Sequence, residues 1–142
     1  MIFQYPLEKL LELKLQEEKQ VLTDLATWRG KFRLVRENLR DMESNYSCYI
    51  KTFEENSKLS ADKFISYTRF FPVLHEGIKK EKTKCSLIQE EIDNLLVGLA
   101  VLIKERQVLE KLKEKKYQEF LLEASKKEQL QMDEIALNQY YM

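Results

Sequence analysis

Apolar residues recur at alternating steps of three and four along almost the whole chain, and the pattern is interrupted only once. A seam of this period is typical of helices that bury one stripe against each other, so it predicts two long helices. On the first helix the seam comprises Leu7, Leu11, Val21, Leu25, Trp28, Phe32, Val35, Leu39, Met42, Tyr46, Tyr49 and Phe53. On the second it comprises Phe64, Tyr67, Phe71, Leu74, Ile78, Cys85, Ile88, Ile92, Leu95, Leu99, Leu102 and Leu109.

The interruption is a short polar segment at residues 56–60. Asn56 can end a helix in the left-handed conformation, and Ser60 is a good N-cap for the next helix. Pro6 suits the first turn of a helix. We therefore predict helix 1 at about residues 5–56, a turn at about 57–60 and helix 2 at about 61–139, in one coiled-coil domain over residues 1–142. The predicted fold class is all-α, an antiparallel two-helix coiled-coil hairpin with a longer second helix that overhangs at the terminal end.

Counting residues across the turn defines the overhang. With a turn centred near residue 58, Phe53 meets Phe64 and Leu7 meets roughly Leu109. Residues from about 113 onward then have nothing opposite them in the chain. Apolar residues continue there in a loose helical stripe without a single heptad phase, and such a stripe needs a partner or stays exposed.

Two charged residues, Lys14 and Glu18, break the seam of helix 1, and the stretch roughly opposite, residues 95–103, is apolar on all sides. A phase slip that moves the seam to Leu15 and Leu22 would explain part of this pattern. It would leave three apolar residues on the outer face, and we expect that face to contact a partner. These residues are Val97, Ala100 and Val101.

Pro72, inside helix 2, predicts a kink, because proline removes one backbone hydrogen bond and clashes with the preceding turn. Such a bend is either tolerated near the hairpin tip or displays neighbouring aromatic residues such as Phe70. The chain has seven Tyr and seven Phe. Two helices shield large side chains incompletely, so some of these rings should present an edge to water, as binding hot spots do.

The composition narrows the function class. Lys and Arg total 24 and Asp and Glu total 24, a balance that argues against a nucleic-acid-binding protein. The start of the chain has no basic region typical of a signal peptide. The longest uncharged apolar run, residues 95–103, is short against the about 20 residues of a membrane span. The two cysteines give no sign of secretion, so we expect an intracellular, reduced setting.

No catalytic motif is visible in the sequence. His75 is the one histidine, and no metal-ligand or phosphate-binding spacing occurs. The acidic residues sit at helix-surface positions without apolar pockets that would shift their pKa values, so we see no candidate general acid or base. We therefore predict a protein that is not an enzyme and has no catalytic residue, no metal site and no cofactor.

Three short motifs carry a resemblance to a known family. Residues 3–14 read FQYPLEKLLELK, residues 64–71 read FISYTRFF, and the C-terminal part has Lys127 followed by MDEIA at 132–136. Their order and spacing, together with the hairpin position and the overhang, resemble the flagellar export protein FliJ family. The similarity covers the whole chain.

The resemblance implies a non-enzymatic central stalk and adaptor of the flagellar type III export apparatus, similar to the gamma subunit of rotary ATPases. It implies that the end with both termini inserts into the hexameric export ATPase FliI and promotes its assembly, that a surface nearer the hairpin engages the export gate protein FlhA, and that the protein handles export chaperones. Its location would be cytoplasmic, peripherally associated with the cytoplasmic face of the cell membrane.

Carried over by position, the gate-binding pattern falls on Tyr46, Tyr49, Phe70, Leu74 and Gly77. We expect the ATPase contact within roughly residues 7–22 and 95–135, where apolar residues lack a partner in the chain. The candidates are Leu10, Leu13, Leu15, Val97, Val101, Tyr117, Leu121, Met132 and Ile135.

Two other functions stay open at this point. The first is the equivalent stalk of a virulence type III secretion system. The second is a homodimeric structural coiled coil, in which the overhangs of two chains pair.

Overall fold

The computed structural model describes residues 2–55 and 60–141, and within these ranges it contains two α-helices and no strand. Helix α1 is Glu8–Glu55, of 48 residues, and helix α2 is Ala61–Tyr141, of 81 residues. The two helices pack against each other, which confirms the predicted all-α two-helix hairpin. The predicted turn at about 57–60 lies outside the described residues except for Ser60, as does Asn56.

Ser60 caps the start of α2. Its hydroxyl oxygen accepts a hydrogen bond from the Lys63 amide at 3.4 Å, and its carbonyl accepts one from the Phe64 amide at 3.0 Å. Asp62 in the first turn complements the positive end of the helix dipole. The helix continues through Pro72, and the kink expected there stays a prediction.

The chain divides into two compact units, unit 1 (Met1–Gln20 and Leu99–Met142) and unit 2 (Val21–Gly98). Each unit takes a segment from both helices. The organisation as a single domain over residues 1–142 stays a prediction.

In unit 2 the predicted seam forms the contact between the helices. Leu25, Ile78 and Ile92 are buried, and nearly all the other predicted seam residues of this unit are half-buried. Phe64 is half exposed, although its ring packs 5.8 Å from that of Phe53. The partial burial follows from the architecture, because each helix has only one neighbour to cover its apolar stripe.

In unit 1 the seam ends differently from the prediction. Leu7 was expected opposite Leu109, but it is 40% exposed and precedes the helix. Tyr5 takes the position instead. It is buried, and its hydroxyl donates a 2.9 Å hydrogen bond to the carbonyl oxygen of Leu109. The expectation for Leu7 was wrong because the chain before Glu8 is not helical, so the helical count does not extend to it.

The residues before α1 also cover part of the predicted overhang. The Phe3 ring lies 5.2 Å from that of Tyr117 and 5.5 Å from that of Phe120, and Lys113 forms a 2.7 Å ion pair with Glu8. The expectation that α2 has nothing opposite from about residue 113 is therefore wrong. A non-helical segment can advance about 3.3 Å per residue against 1.5 Å in a helix, so a few residues reach far along α2. Beyond Ala124, every described residue is exposed.

Lys14 and Glu18 remain in the seam of unit 1 as half-buried ion pairs between the helices. Lys14 Nζ lies 2.6 Å from a carboxylate oxygen of Glu105, and Arg106 Nε lies 2.6 Å from one of Glu18. The phase slip to Leu15 and Leu22 is wrong, since both leucines are exposed. The charged side chains stay at the interface because α2 supplies an opposite charge to each.

These contacts also change the acidity of the cations. The hydrogen bond to Glu105 raises the pKa of Lys14 against a smaller opposing effect of burial. The hydrogen bonds to Glu110 and Glu18 raise the pKa of the Arg106 guanidinium.

Candidate functional site

The sequence predicts two binding surfaces, and the structure describes every residue of both. The gate surface comprises Tyr46, Tyr49, Phe70, Leu74 and Gly77, all in unit 2. The terminal surface comprises Leu10, Leu13, Leu15, Val101, Tyr117, Leu121, Met132 and Ile135 in unit 1 and Val97 in unit 2.

The gate surface is built on a cluster of aromatic rings from both helices. The Tyr49 ring of α1 lies 4.6 Å from that of Tyr67, 5.1 Å from that of Phe70 and 5.2 Å from that of Phe71. Tyr46 packs on Phe71 at 6.1 Å. Edge-to-face arrangements predominate in these contacts, which is the favoured geometry for aromatic pairs.

Phe70 is the member of this surface that faces solvent. It is 44% exposed, whereas Tyr46 and Tyr49 are half-buried. The Tyr49 ring meets Phe70 at an interplanar angle of 67°, so one edge of Phe70 is held by α1 and the rest is free to contact a partner. A partly supported aromatic ring of this kind can anchor a protein interface, because little side-chain entropy is lost on binding.

Leu74 and Gly77 continue the same stripe of α2, four and seven residues after Phe70. Both are half-buried, in agreement with the seam position predicted for Leu74. A Cβ atom on Gly77 would lie 3.1 Å from Cε of Met42, so the small residue allows α1 to approach closely at this point.

Burial raises the pKa of the Tyr49 phenol, with a smaller contribution from Tyr67. The hydroxyl therefore stays protonated at neutral pH and can act as a hydrogen-bond donor toward a partner.

The apolar periodicity predicts Tyr67, Phe71 and Met42 only as seam residues. The structure shows that they also position the gate surface, since Tyr67 and Phe71 hold Tyr49 and Met42 closes over Gly77. Their heptad positions opposite Tyr49 and Gly77 are the signal that could have identified them.

The terminal surface consists of exposed apolar side chains. All nine residues are exposed, from Leu10 and Tyr117 at 40% to Met132 at 71%. Leu10 contributes to an open groove on unit 1, which has an apolar floor and charged rims. The groove is lined by Leu10, Lys14, Lys104, Glu105, Val108 and Leu109.

The terminal surface is larger than the sequence predicted. Further exposed apolar residues of unit 1 lie along α2, and one of them, Val108, lines the groove and is 58% exposed. The additional residues are Val108, Leu112, Leu122, Leu130, Leu137, Tyr140 and Tyr141. For the residues after Phe120, the exposure follows from the lack of a described segment opposite this part of α2.

Within residues 2–55 and 60–141, no group of three or more His, Cys, Asp or Glu residues could hold a metal ion. His75 and Cys48 are exposed, Cys85 is half-buried at its seam position, and both thiols are free. Neither of the described helices contains an apolar stretch long enough to span a membrane.

The candidate side chains thus lie on faces of a two-helix hairpin, which defines the chain as a helical coiled-coil protein. The family comparison agrees, because the model of the flagellar FliJ protein family matches residues 3–142. The chain belongs to the flagellar FliJ protein family. Proteins of this family are stalk-like structural components of the flagellar export apparatus, a type III secretion system, on its cytoplasmic side. Neither a curated protein nor a solved structure matches the chain.

Proposed function

We propose that the chain is the central stalk of the flagellar export ATPase. In this role unit 1 inserts into the ATPase hexamer and promotes its assembly, and the gate surface contacts the export gate. The protein also passes export chaperones between these partners and works at the cytoplasmic face of the membrane, to which its partners recruit it. It performs no catalysis itself.

The observation that carries this proposal is the exposed apolar surface of unit 1. Leu13, Tyr117 and Leu121 are each at least 40% exposed although they lie on long, regular helices. Contiguous exposed apolar side chains on a monomer indicate an interaction site. The lining of a hexameric ring would cover several faces of a helical insert at once, which fits apolar residues that are not confined to one stripe.

The first experiment measures ATP turnover by the cognate export ATPase with and without the chain. We expect stimulation by the full chain and its loss on deletion of residues 125–142, which leaves the contacts of Phe3 with Tyr117 and Phe120 in place. A point variant, Leu121→Ser, should weaken stimulation. Its matched control is Leu34→Ser, at an exposed leucine of unit 2 outside both surfaces. Full stimulation both by the truncated chain and by Leu121→Ser would exclude insertion by this end.

The second experiment tests the gate surface by titration of the purified cytoplasmic domain of the export gate. Phe70→Ala should reduce the affinity at least tenfold, as expected for an aromatic anchor, without loss of helicity. Val73→Ala is the matched control, because Val73 is exposed on the same helix three residues away. Equal affinities of the two variants would remove Phe70 from the interface.

Light scattering separates the stalk from a homodimeric coiled coil. The stalk hypothesis predicts a monomer at micromolar concentration that assembles only with the ATPase. A stable dimer that dissociates when residues 125–142 are deleted would favour the structural coiled coil instead.

A further inference from the structure

A stripe of arginines on α1 is not explained by either predicted surface. Arg29, Arg33, Arg36 and Arg40 are all exposed, and they follow one another at steps of four, three and four. At 3.6 residues per turn the four positions fall within a sector of about 60° and extend about 16 Å along the helix. We call these four residues the arginine stripe.

The arginine stripe lacks carboxylate partners, unlike the cations that form ion pairs between the two helices. Lys14, Lys113 and Arg106 each pair with an acidic side chain. By contrast, none of the four stripe arginines forms an ion pair with any described residue, and Arg36 only approaches the ring of Phe32, at 6.0 Å. The acidic residues within 29–41, Glu37 and Asp41, lie outside the sector.

The choice of residue type is a second, independent observation. The chain has 18 Lys but only six Arg, and four of those six form the stripe. A solvated helix face is served equally well by lysine. Arginine is preferred where a planar carboxylate or phosphate is bound by two parallel hydrogen bonds.

We propose that the arginine stripe is a docking surface for an acidic helix of a partner protein. A helix with carboxylates at steps of four, three and four presents the same spacing, so each guanidinium can take one carboxylate along the shared length. A membrane surface fits less well, because a helix that lies on a bilayer inserts apolar side chains. Between Arg29 and Arg40 no apolar residue shares the sector of the stripe, and the seam residues face α2.

The test uses the full chain and a synthetic helical peptide with glutamates at positions i, i+4, i+7 and i+11. A second peptide has the same composition with its glutamates spread around the helix. Binding is measured by fluorescence anisotropy at physiological salt. Four exposed ion pairs at about 2.3-fold each predict that the matched peptide binds about 30-fold more tightly than the scrambled one.

Four variants distinguish a specific binding surface from diffuse electrostatic attraction. R29Q/R33Q/R36Q/R40Q should lose the 30-fold preference, and R29K/R33K/R36K/R40K should lose most of it, because lysine keeps the charge without the two-pronged geometry. The matched control is K79Q/K80Q/K82Q/K84Q, which removes the same charge from exposed positions of the same unit. It should retain the preference.

The pair variant R33Q/R36Q should give an intermediate loss of the preference. Circular dichroism verifies that each variant keeps its helicity.

Several outcomes would overturn the proposal. These are equal binding of the two peptides, no binding of either, or retention of the full preference by the lysine variant. Stripe-dependent binding to vesicles of phosphatidylglycerol and phosphatidylcholine, without preference for the matched peptide, would assign the stripe to an anionic membrane surface instead.

Discussion

The three glycines provide a test of how closely the helices approach each other in unit 2. Gly77 and Gly98 both lie within α2, Gly30 lies within α1, and none has a positive φ. Alanine is about 0.9 kcal/mol more favourable than glycine inside a helix. Because nothing lies within 4 Å of the Cβ positions at Gly30 and Gly98, alanine at either site should raise the free energy of unfolding by about that amount.

At Gly77 the same substitution meets the Met42 methyl group at 3.1 Å. Met42 has to move by a few tenths of an ångström, at a cost of about 0.5 to 1.5 kcal/mol for a displaced rotamer. The net change for Gly77→Ala is then between a gain of about 0.4 and a loss of about 0.6 kcal/mol. The experiment compares the change in the free energy of unfolding caused by Gly77→Ala with the change caused by Gly98→Ala.

Urea unfolding followed by circular dichroism measures these changes, provided that the dependence on urea is the same for all variants. Met42→Ala supplies the control. In that background Gly77→Ala should raise the free energy of unfolding by the full amount expected from helix propensity, because the Met42 methyl group is gone. If Gly77→Ala stabilises the wild-type chain as much as Gly98→Ala does, Met42 does not pack on Gly77 and the close approach is refuted.

Three further predictions concern single contacts. Tyr5→Phe removes the hydrogen bond to Leu109 and should lower the free energy of unfolding by about 1 kcal/mol in a urea titration, and an unchanged midpoint would contradict it. Lys14→Glu places a second carboxylate beside Glu105 and should lower the melting temperature. The double variant Lys14→Glu/Glu105→Lys should restore it. If the effects of the two substitutions simply add, the two residues do not form an ion pair. Burial raises the pKa of Tyr49, so the folded state favours the protonated phenol. The stability that this preference provides is complete below pH about 10 and is lost as the pH rises through the folded-state pKa. The near-ultraviolet absorbance of the phenolate should show a late-titrating component that is absent in Tyr49→Phe.

The periodicity of apolar residues predicted the two helices and most of their buried stripe, because burial of an apolar face is the main force that orders a long helix. The gate surface followed from the same register, since Tyr49 and Phe70 meet across the hairpin. The supporting role of Met42 was missed, because its contact is to a glycine, and only the heptad position opposite Gly77 indicates it.

The terminal end was harder to predict, because two of its features depend on non-helical or polar contacts. Tyr5 reaches Leu109 through a segment that does not follow helical spacing. Lys14 and Glu18 looked like a break in the seam, although each has an oppositely charged partner on α2. A charge at an interface is stable only if such a partner lies opposite. To predict the partner, the alignment of the two helices has to be known to within one helical turn. The arginine stripe was missed because a search for apolar periodicity ignores periodic charge.

The ion pairs of unit 1 have a consequence for how the two helices can slide past each other. Along α1, Glu8, Lys14 and Glu18 alternate in charge. They pair with Lys113, Glu105 and Arg106 of α2, respectively. A slip of about two turns would bring Lys113 to the level of Lys14 in one direction, or Glu105 toward Glu8 in the other, and like charges would repel. Apolar seams tolerate slippage by whole heptads, whereas this charge sequence accepts a single alignment. The ion pairs of unit 1 therefore fix the alignment of the two helices. This restraint should weaken in high salt while the helices themselves persist.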